Sequence, residues 1–359
     1  MQIDFHHTAI YVLCRLAGMD SCYAEIVAYA SQQVDDATYG HALKFMNGGI
    51  FHQTRTAHAK LSLFKMVDVN DAFNVWIPFH FIPSSEGDSI MEKLITRPVS
   101  RPIELLKEEV INAGGEDYGL YWLGIFLHLY ADAFSHQDFK GFYDSYNLVK
   151  LVKGHDRLTL KTCILSWLAK IFSPLLPIGH AVAAKNPDIP YAVFSYSRGG
   201  ETYEIKNLEE RFLPAVKLLF EFMINYLKVN PEYGRAADTS LLDRQFDKIK
   251  ELLSTEGDYH FRHQKWLESI HQNHFDFCDF NDIDRMLTYQ RRSWFDKAVK
   301  ANSPCSLLQW IENKTYNFHM FKKLENFSVS DWTLFMRAAA IHKYILLHKI
   351  LPECGMDIG

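Results

Sequence analysis

The segment at residues 119–139 constrains the fold more than any other, because it is apolar on almost every side yet carries polar groups at a regular interval. His128, Asp132 and His136 follow one another at spacings of four residues, which places them on one face of an α-helix. Apolar residues on the other faces predict a buried helix over 118–136. Three polar groups on one buried face must be satisfied together, because burying them unpaired is costly.

The same spacing predicts metal binding. Side chains four residues apart are separated by about 6 Å along the helix axis, so His128 and Asp132 can bind one ion. His136 lies about 12 Å from His128, which is too far for one ion to hold all three side chains. Binding by all three therefore requires more than one ion, with Asp132 placed to bridge, or a helix that ends before His136. Paired metal ions are a recognised arrangement for phosphoester hydrolysis.

Further candidate ligands are histidines in apolar surroundings and two aspartates that close an apolar helix. They are His6, His7, Asp35, Asp36, His80 and His180. Taken singly, such residues are more often hydrogen-bonded core histidines or capping aspartates than metal ligands. Together with the HxxxDxxxH helix they form a ligand set, and histidine with aspartate but without cysteine favours zinc, manganese or iron.

Composition excludes several classes of protein. The chain has 359 residues, 48% of them hydrophobic, which suffices for one large domain or two smaller ones. A net charge of −5 gives no overall positive field, so stable nucleic-acid binding is not expected. The cysteines are scattered without a CxxC pair, which disfavours a disulfide framework. Neither a signal segment nor an unbroken apolar span is visible, so we expect a cytoplasmic protein without a transmembrane segment; export without a signal stays open.

Helical periodicity dominates the chain. Helices are predicted at 103–113, 118–136, 158–172, 207–228, 240–254, 261–273, 281–300, 304–313 and 329–350. Only 74–83 and 191–197 have the pattern of extended strands. We therefore predict an all-α, multi-helix bundle around the metal-site helix, with little or no β structure. Small and polar residues near 229–240 predict a boundary between a helical metal-site domain, 1–230, and a C-terminal helical layer or subdomain, 231–359.

Five motifs occur in order over roughly the first two thirds of the chain: FHHTAIYVLCRLAGM, YASQQVDDA, FHFIP, LGIFLHLYADAFSHQDFKGFYDSYN and IGHAVAAKNPD. Together they resemble an uncharacterised bacterial family of predicted all-helical proteins. More remotely, HxxxDxxxH with upstream His and Asp resembles the zinc-dependent phospholipase C and P1-type nuclease superfamily, whose helical enzymes bind three zinc ions. This resemblance implies a site for one to three ions lined by His6, Asp35 or Asp36, His80, His128, Asp132, His136 and His180.

These patterns favour a metal-dependent hydrolase, with zinc preferred, that acts on a small-molecule or lipid phosphoester such as a phospholipid or nucleotide. A bound ion would lower the pKa of its water towards about 7. The adjacent aspartates point about 100° apart on a helix, so one should be a ligand and the other the general base; we expect Asp36 to be the ligand and Asp35 the base. The aromatic residues expected to line the pocket are Trp76, Phe79, Tyr130 and Phe134.

Two other interpretations are open. The chain can be a non-catalytic bacterial effector or interaction protein with a structural metal site, in which case the metal is fully coordinated by protein. It can also be a metal-free helical scaffold whose buried histidines are hydrogen-bonded. The sequence does not specify protein partners.

Overall fold

A computed structural model describes residues 1–58, 69–155, 179–180, 183–301 and 320–358. The α-helices in these ranges are α1 Ile10–Ala17, α2 Ser21–Asp36, α3 Val69–Asp71, α4 Ile77–Phe79, α5 Ile90–Lys93, α6 Arg101–Asn112, α7 Gly119–Ser135, α8 Leu213–Val229, α9 Ser240–Ser254, α10 Tyr259–His271, α11 Asp282–Met286, α12 Ser293–Ala298, α13 Asp331–Ile345 and α14 Leu351–Glu353. The helices predicted at 158–172 and 304–313 lie outside the described residues.

Two β-sheets accompany the helices. Their strands are β1 Leu43–Phe45, β2 Ile50–Phe51, β3 Lys150–Lys153, β4 Val193–Arg198, β5 Glu201–Lys206, β6 Val299–Ala301 and β7 Met320–Lys323. One sheet has the order β2-β1-β7-β6, in which β1 and β7 are parallel and the other pairs antiparallel. The other sheet has the antiparallel order β3-β4-β5. The prediction of an all-α fold with little or no β structure is therefore wrong, and the protein mixes α and β structure.

Most of the strands were not predicted because they are short and because their pairing involves segments that are distant in sequence. They have between two and six residues, too few for a clear alternating pattern. β1 pairs with β7, from the opposite end of the chain, with Lys44 opposite Met320. The extended segment predicted at 191–197 is confirmed by β4. The strand pattern at 74–83 was wrong, because most of that segment is helical.

Helix α7 is buried along its whole length, as its apolar sequence predicts. It packs against α2, α13 and α6. Gly124 allows the closest approach: a Cβ built there would lie 2.5 Å from the carbonyl oxygen of Val27 and 2.6 Å from Cβ of Ala30. Because α2 ends at Asp36, this contact brings Asp35 near the end of α2 beside His128 of α7.

Helical segments with π-type hydrogen bonding occur at Asp4–Ala9, Ala72–Trp76, Leu208–Phe212 and Leu346–Ile350. The first contains His6, and the second lies immediately before α4 and His80. Such π-helical turns are frequent at functional sites because they change which side chains share a face.

One hydrophobic core runs through both halves of the chain. It contains Phe5 and Leu123 from the N-terminal part, and Trp266, Phe335 and Leu351 from the C-terminal part. A smaller apolar cluster lies beneath the β3-β4-β5 sheet. The boundary between 230 and 231 stays a prediction. Among the described residues, no helix has the length and apolar character needed to cross a membrane.

Candidate metal centre

Three histidines are held by the backbone through one ring nitrogen. His80 Nε2 lies 2.9 Å from the carbonyl oxygen of Thr56, His136 Nδ1 2.8 Å from that of His80, and His180 Nδ1 3.0 Å from that of Ala184. A carbonyl oxygen can only accept, so each of these nitrogens carries the proton. The other ring nitrogen of each histidine faces the carboxylates, which is the usual arrangement of metal-binding histidines.

The central group consists of His80, His128 and Asp132, all buried. His128 Nε2 lies 3.3 Å from His80 Nδ1 and 3.2 Å from Asp132 Oδ2, while His80 Nδ1 lies 3.0 Å from the same oxygen. Ligands bound to one tetrahedral zinc ion at about 2.0–2.1 Å stand about 3.3 Å from each other. The mutual distances of these donor atoms therefore fit the edges of a metal coordination shell.

A second group consists of His136, His180 and Asp188. His136 Nε2 lies 3.2 Å from Asp188 Oδ1, and His180 Nε2 lies 3.4 Å from Asp188 Oδ2. Asp188 ends the short 3-10 helix Asn186–Asp188. His136 follows the last residue of α7, so the end of that helix separates it from the central group.

A third group consists of His6, Asp35 and His128. The rings of His6 and His128 are stacked with centroids 3.8 Å apart, and Asp35 Oδ1 lies 3.9 Å from His128 Nε2. Asp132 connects this group with the central one, because its Oδ1 lies 3.1 Å from His6 Nε2 while its Oδ2 faces His80 and His128. The geometry of Asp132 is therefore suited to bridging two ions.

The ionisation states of His6, His180 and Asp132 fit metal binding, whereas the raised pKa of His80 favours its protonated form, which would have to lose a proton for an ion to bind. Burial lowers the pKa of His6 to about 3 and that of His180 to about 4, so both rings are neutral near pH 7. Burial alone would lower the pKa of His80, but the hydrogen bond and charge of Asp132 raise it. Burial would raise the pKa of Asp132, but His136 and the Met1 amino group hold it well below its usual value. Neutral imidazoles and ionised carboxylates are the forms that bind metal.

The amino group of Met1 lies between the groups. It contacts Asp132 and is 3.2 Å from both Asp188 Oδ1 and Ser135 Oγ. Burial would lower its pKa, but the charges of Asp132 and Asp188 raise it to about 11. The same amino group and His180 lower the pKa of Asp188 against the effect of burial.

The two adjacent aspartates have different surroundings. Asp35 faces His128, with its side chain 35% exposed. Asp36 instead accepts a hydrogen bond from the Tyr289 hydroxyl at 2.7 Å and forms an ion pair with Arg291 at 2.9 Å. Within the described residues Asp36 belongs to none of the three groups. The structure therefore places Asp35, and not the predicted ligand Asp36, beside the histidines.

An open cleft of about 700 Å³ adjoins the three groups. Of the aromatic residues predicted to line it, Trp76 does so, stacked on His58 with centroids 5.0 Å apart. Phe79, Tyr130 and Phe134 are buried in the core. The C-terminal part of the chain supplies Tyr259, His260, His263, Tyr289 and Arg291 to the cleft wall.

Asp188 and His263 are two residues of the site that the sequence analysis did not identify. Asp188 lies in the motif IGHAVAAKNPD, eight residues after His180, and this second ligand type near a candidate histidine was its only local signal. His263 was not among the candidate residues, yet it is buried in the predicted helix 261–273, with its Nε2 3.1 Å from Nδ1 of His7. Its partner is distant in sequence, so no local pattern could reveal this contact.

Comparison with known families adds one finding. The model of a family described as "Family of unknown function (DUF6765)" matches residues 1–350. The chain belongs to DUF6765. The matched range of DUF6765 includes every residue of the three groups and the C-terminal cleft wall. Neither the curated proteins nor the solved structures contain a match.

Proposed function

We propose that this DUF6765 protein is a metal-dependent hydrolase that acts on a phosphoester, such as a phospholipid or a nucleotide, with zinc as the favoured ion. The observation that carries the proposal is the convergence of three His/Asp groups beside one cleft, two of which are joined through Asp132 and His128. Two or more metal positions next to a substrate-sized cleft suit phosphoester hydrolysis, in which attacking and leaving oxygens both need stabilisation.

The exposure of the groups supports catalysis over a purely structural metal. A structural zinc site is closed by protein ligands, whereas a catalytic site keeps a position open to substrate. Asp35 is about one-third exposed, and Asp132, His136 and His180 also border the cleft. The alternative of a non-catalytic effector with a structural metal has no comparable support in the geometry.

A bound divalent ion would supply Lewis-acid polarisation of the phosphoryl group and a lower pKa for an attacking water. Hydrogen bonds from one ring nitrogen to the backbone orient His80, His136 and His180, so that the other ring nitrogen of each is placed to bind such an ion. Asp35, at the cleft and 3.9 Å from His128, is positioned to accept the proton of the attacking water as general base. Asp36 is not assigned a ligand role, because Tyr289 and Arg291 engage its carboxylate.

The test is a hydrolysis assay with protein purified without a metal-affinity tag. The metal-depleted protein is reloaded with zinc or manganese and given phosphodiesters, phosphomonoesters and phospholipids at neutral pH. We expect metal-dependent hydrolysis of at least one class, and its loss in Asp132→Asn. A metal-loaded wild type that hydrolyses none of them would rule out the catalytic proposal in favour of the structural alternative.

A further inference from the structure

Arg291 lies at the cleft in a fixed orientation. Its Nε is 2.9 Å from Asp36 Oδ1, and its Nη2 donates to the Asp36 carbonyl oxygen at 3.2 Å. The side chain is nevertheless 56% exposed and lines the same cleft as the three His/Asp groups. Two contacts to one residue therefore hold the guanidinium in place while leaving much of it accessible.

The guanidinium keeps donors for another group. Arginine has five N–H donors, of which the contacts to Asp36 use the one on Nε and one on Nη2. Within the described part of the chain, the Nη1 donors have no protein acceptor. The edge formed by Nη1 and Nη2 is the one that binds carboxylate or phosphate through two parallel hydrogen bonds.

The Asp36 carboxylate has hydrogen-bond donors other than Arg291. Its Oδ2 also accepts hydrogen bonds from the Tyr289 hydroxyl at 2.7 Å and from Gln32 Nε2 at 3.4 Å. An anion that shares the guanidinium therefore leaves the Asp36 carboxylate with other donors. Holding an arginine in advance reduces the entropy lost when it binds an anion.

We propose that Arg291 is a specificity residue that binds a second anionic group, carboxylate or phosphate, on the non-reacting substituent of the substrate. This inference rests on the proposed function, because it assumes that the reacting phosphoester lies at the His/Asp groups. The substrate class is then a phosphodiester whose retained substituent carries its own negative charge.

The experiment uses three phosphodiesters that share a p-nitrophenyl leaving group and differ in the other substituent, which is carboxyalkyl, alkyl or trimethylammonioalkyl. Wild type is expected to have the highest kcat/KM with the carboxyalkyl ester. In Arg291→Gln, kcat/KM for that ester should fall roughly tenfold or more through KM, because a charge-assisted hydrogen bond is lost. The alkyl ester should change less than about twofold.

Arg292→Gln is the matched control, because Arg292 is an exposed neighbour that pairs with Asp296 and does not line the cleft. It should leave all three substrates unchanged. Equal losses on all three esters in Arg291→Gln would overturn the inference, since a residue acting only through Asp36 affects every substrate alike. Unchanged selectivity would overturn it as well. If wild type hydrolyses none of the esters and no other phosphoester, the proposed function itself fails.

Discussion

His80 and Asp132 meet through the histidine nitrogen that the backbone does not use. Nδ1 of His80 lies 3.0 Å from Asp132 Oδ2, while Nε2 of the same ring is fixed by the Thr56 carbonyl oxygen. The contact joins α7 to the segment that follows α4, elements that are distant in sequence. Through this contact, Asp132 raises the pKa of His80 against the effect of burial.

Substitution of each of the two adjacent aspartates tests whether Asp35 acts as the general base. Asp35→Asn should retain bound metal and lower kcat by about 10²-fold to 10⁴-fold, because an amide cannot take a proton from water. Asp36→Asn is the matched control and should keep both metal and most of the turnover, because its partners are Tyr289 and Arg291. Loss of metal from Asp35→Asn would instead make Asp35 a ligand.

The close approach of α2 and α7 predicts that Gly124→Ala is destabilising. The new Cβ would lie 2.5 Å from the Val27 carbonyl oxygen, so one helix must move. We expect a loss of about 1–3 kcal/mol in the free energy of unfolding. Gly115→Ala is the control, because a Cβ there meets nothing within 4 Å. Equal stability of the two variants in urea titrations would show that the contact is not tight.

A buried ion pair fastens the segment that carries His6. Arg262 Nε donates to Asp4 Oδ2 at 2.6 Å, and the two side chains are 1% and 2% exposed. Arg262→Met would leave the Asp4 carboxylate buried without its cation, so we expect about 3–5 kcal/mol of lost stability. Arg285→Met removes an exposed ion pair with Asp282 and should have little effect. Similar small losses in both variants would contradict the buried-pair account.

The buried side chain of His342 is expected to make the free energy of unfolding depend on pH. It accepts from Trp122 Nε1 at 3.0 Å and donates to the Pro78 carbonyl at 2.7 Å, so the folded protein holds it neutral. Burial lowers its pKa to about 4. Its contribution is complete above about pH 6.5, the unfolded value, and falls by about 1.4 kcal/mol per unit as the pH drops towards 4.

The measurement compares the free energy of unfolding of wild type and His342→Gln at pH 7 and pH 5. The stability advantage of wild type should shrink by about 2 kcal/mol at the lower pH, because glutamine does not titrate. An advantage that is the same at both values would show that His342 is not held neutral by these contacts.

The sequence predicted α7 closely, at 118–136 against the observed Gly119–Ser135, because a long apolar segment has few alternatives. The four-residue spacing also anticipated that His128 and Asp132 converge. The sheets were missed because their strands are short and their pairing is set by distant segments. The different surroundings of Asp35 and Asp36 could not be predicted either, since the partners of Asp36, Tyr289 and Arg291, lie more than two hundred residues further along the chain.

The central claim is that the His/Asp groups bind metal, with Asp132 contacting both the central group and His6 of the third group. The most direct measurement is the metal content of untagged wild type and Asp132→Asn, by elemental mass spectrometry after zinc or manganese loading and buffer exchange. We expect about one divalent ion or more per wild-type chain and far less in Asp132→Asn, because the amide keeps the size but loses the charge that bridges the groups. Wild type without bound metal, or a variant with the same content as wild type, would contradict the account.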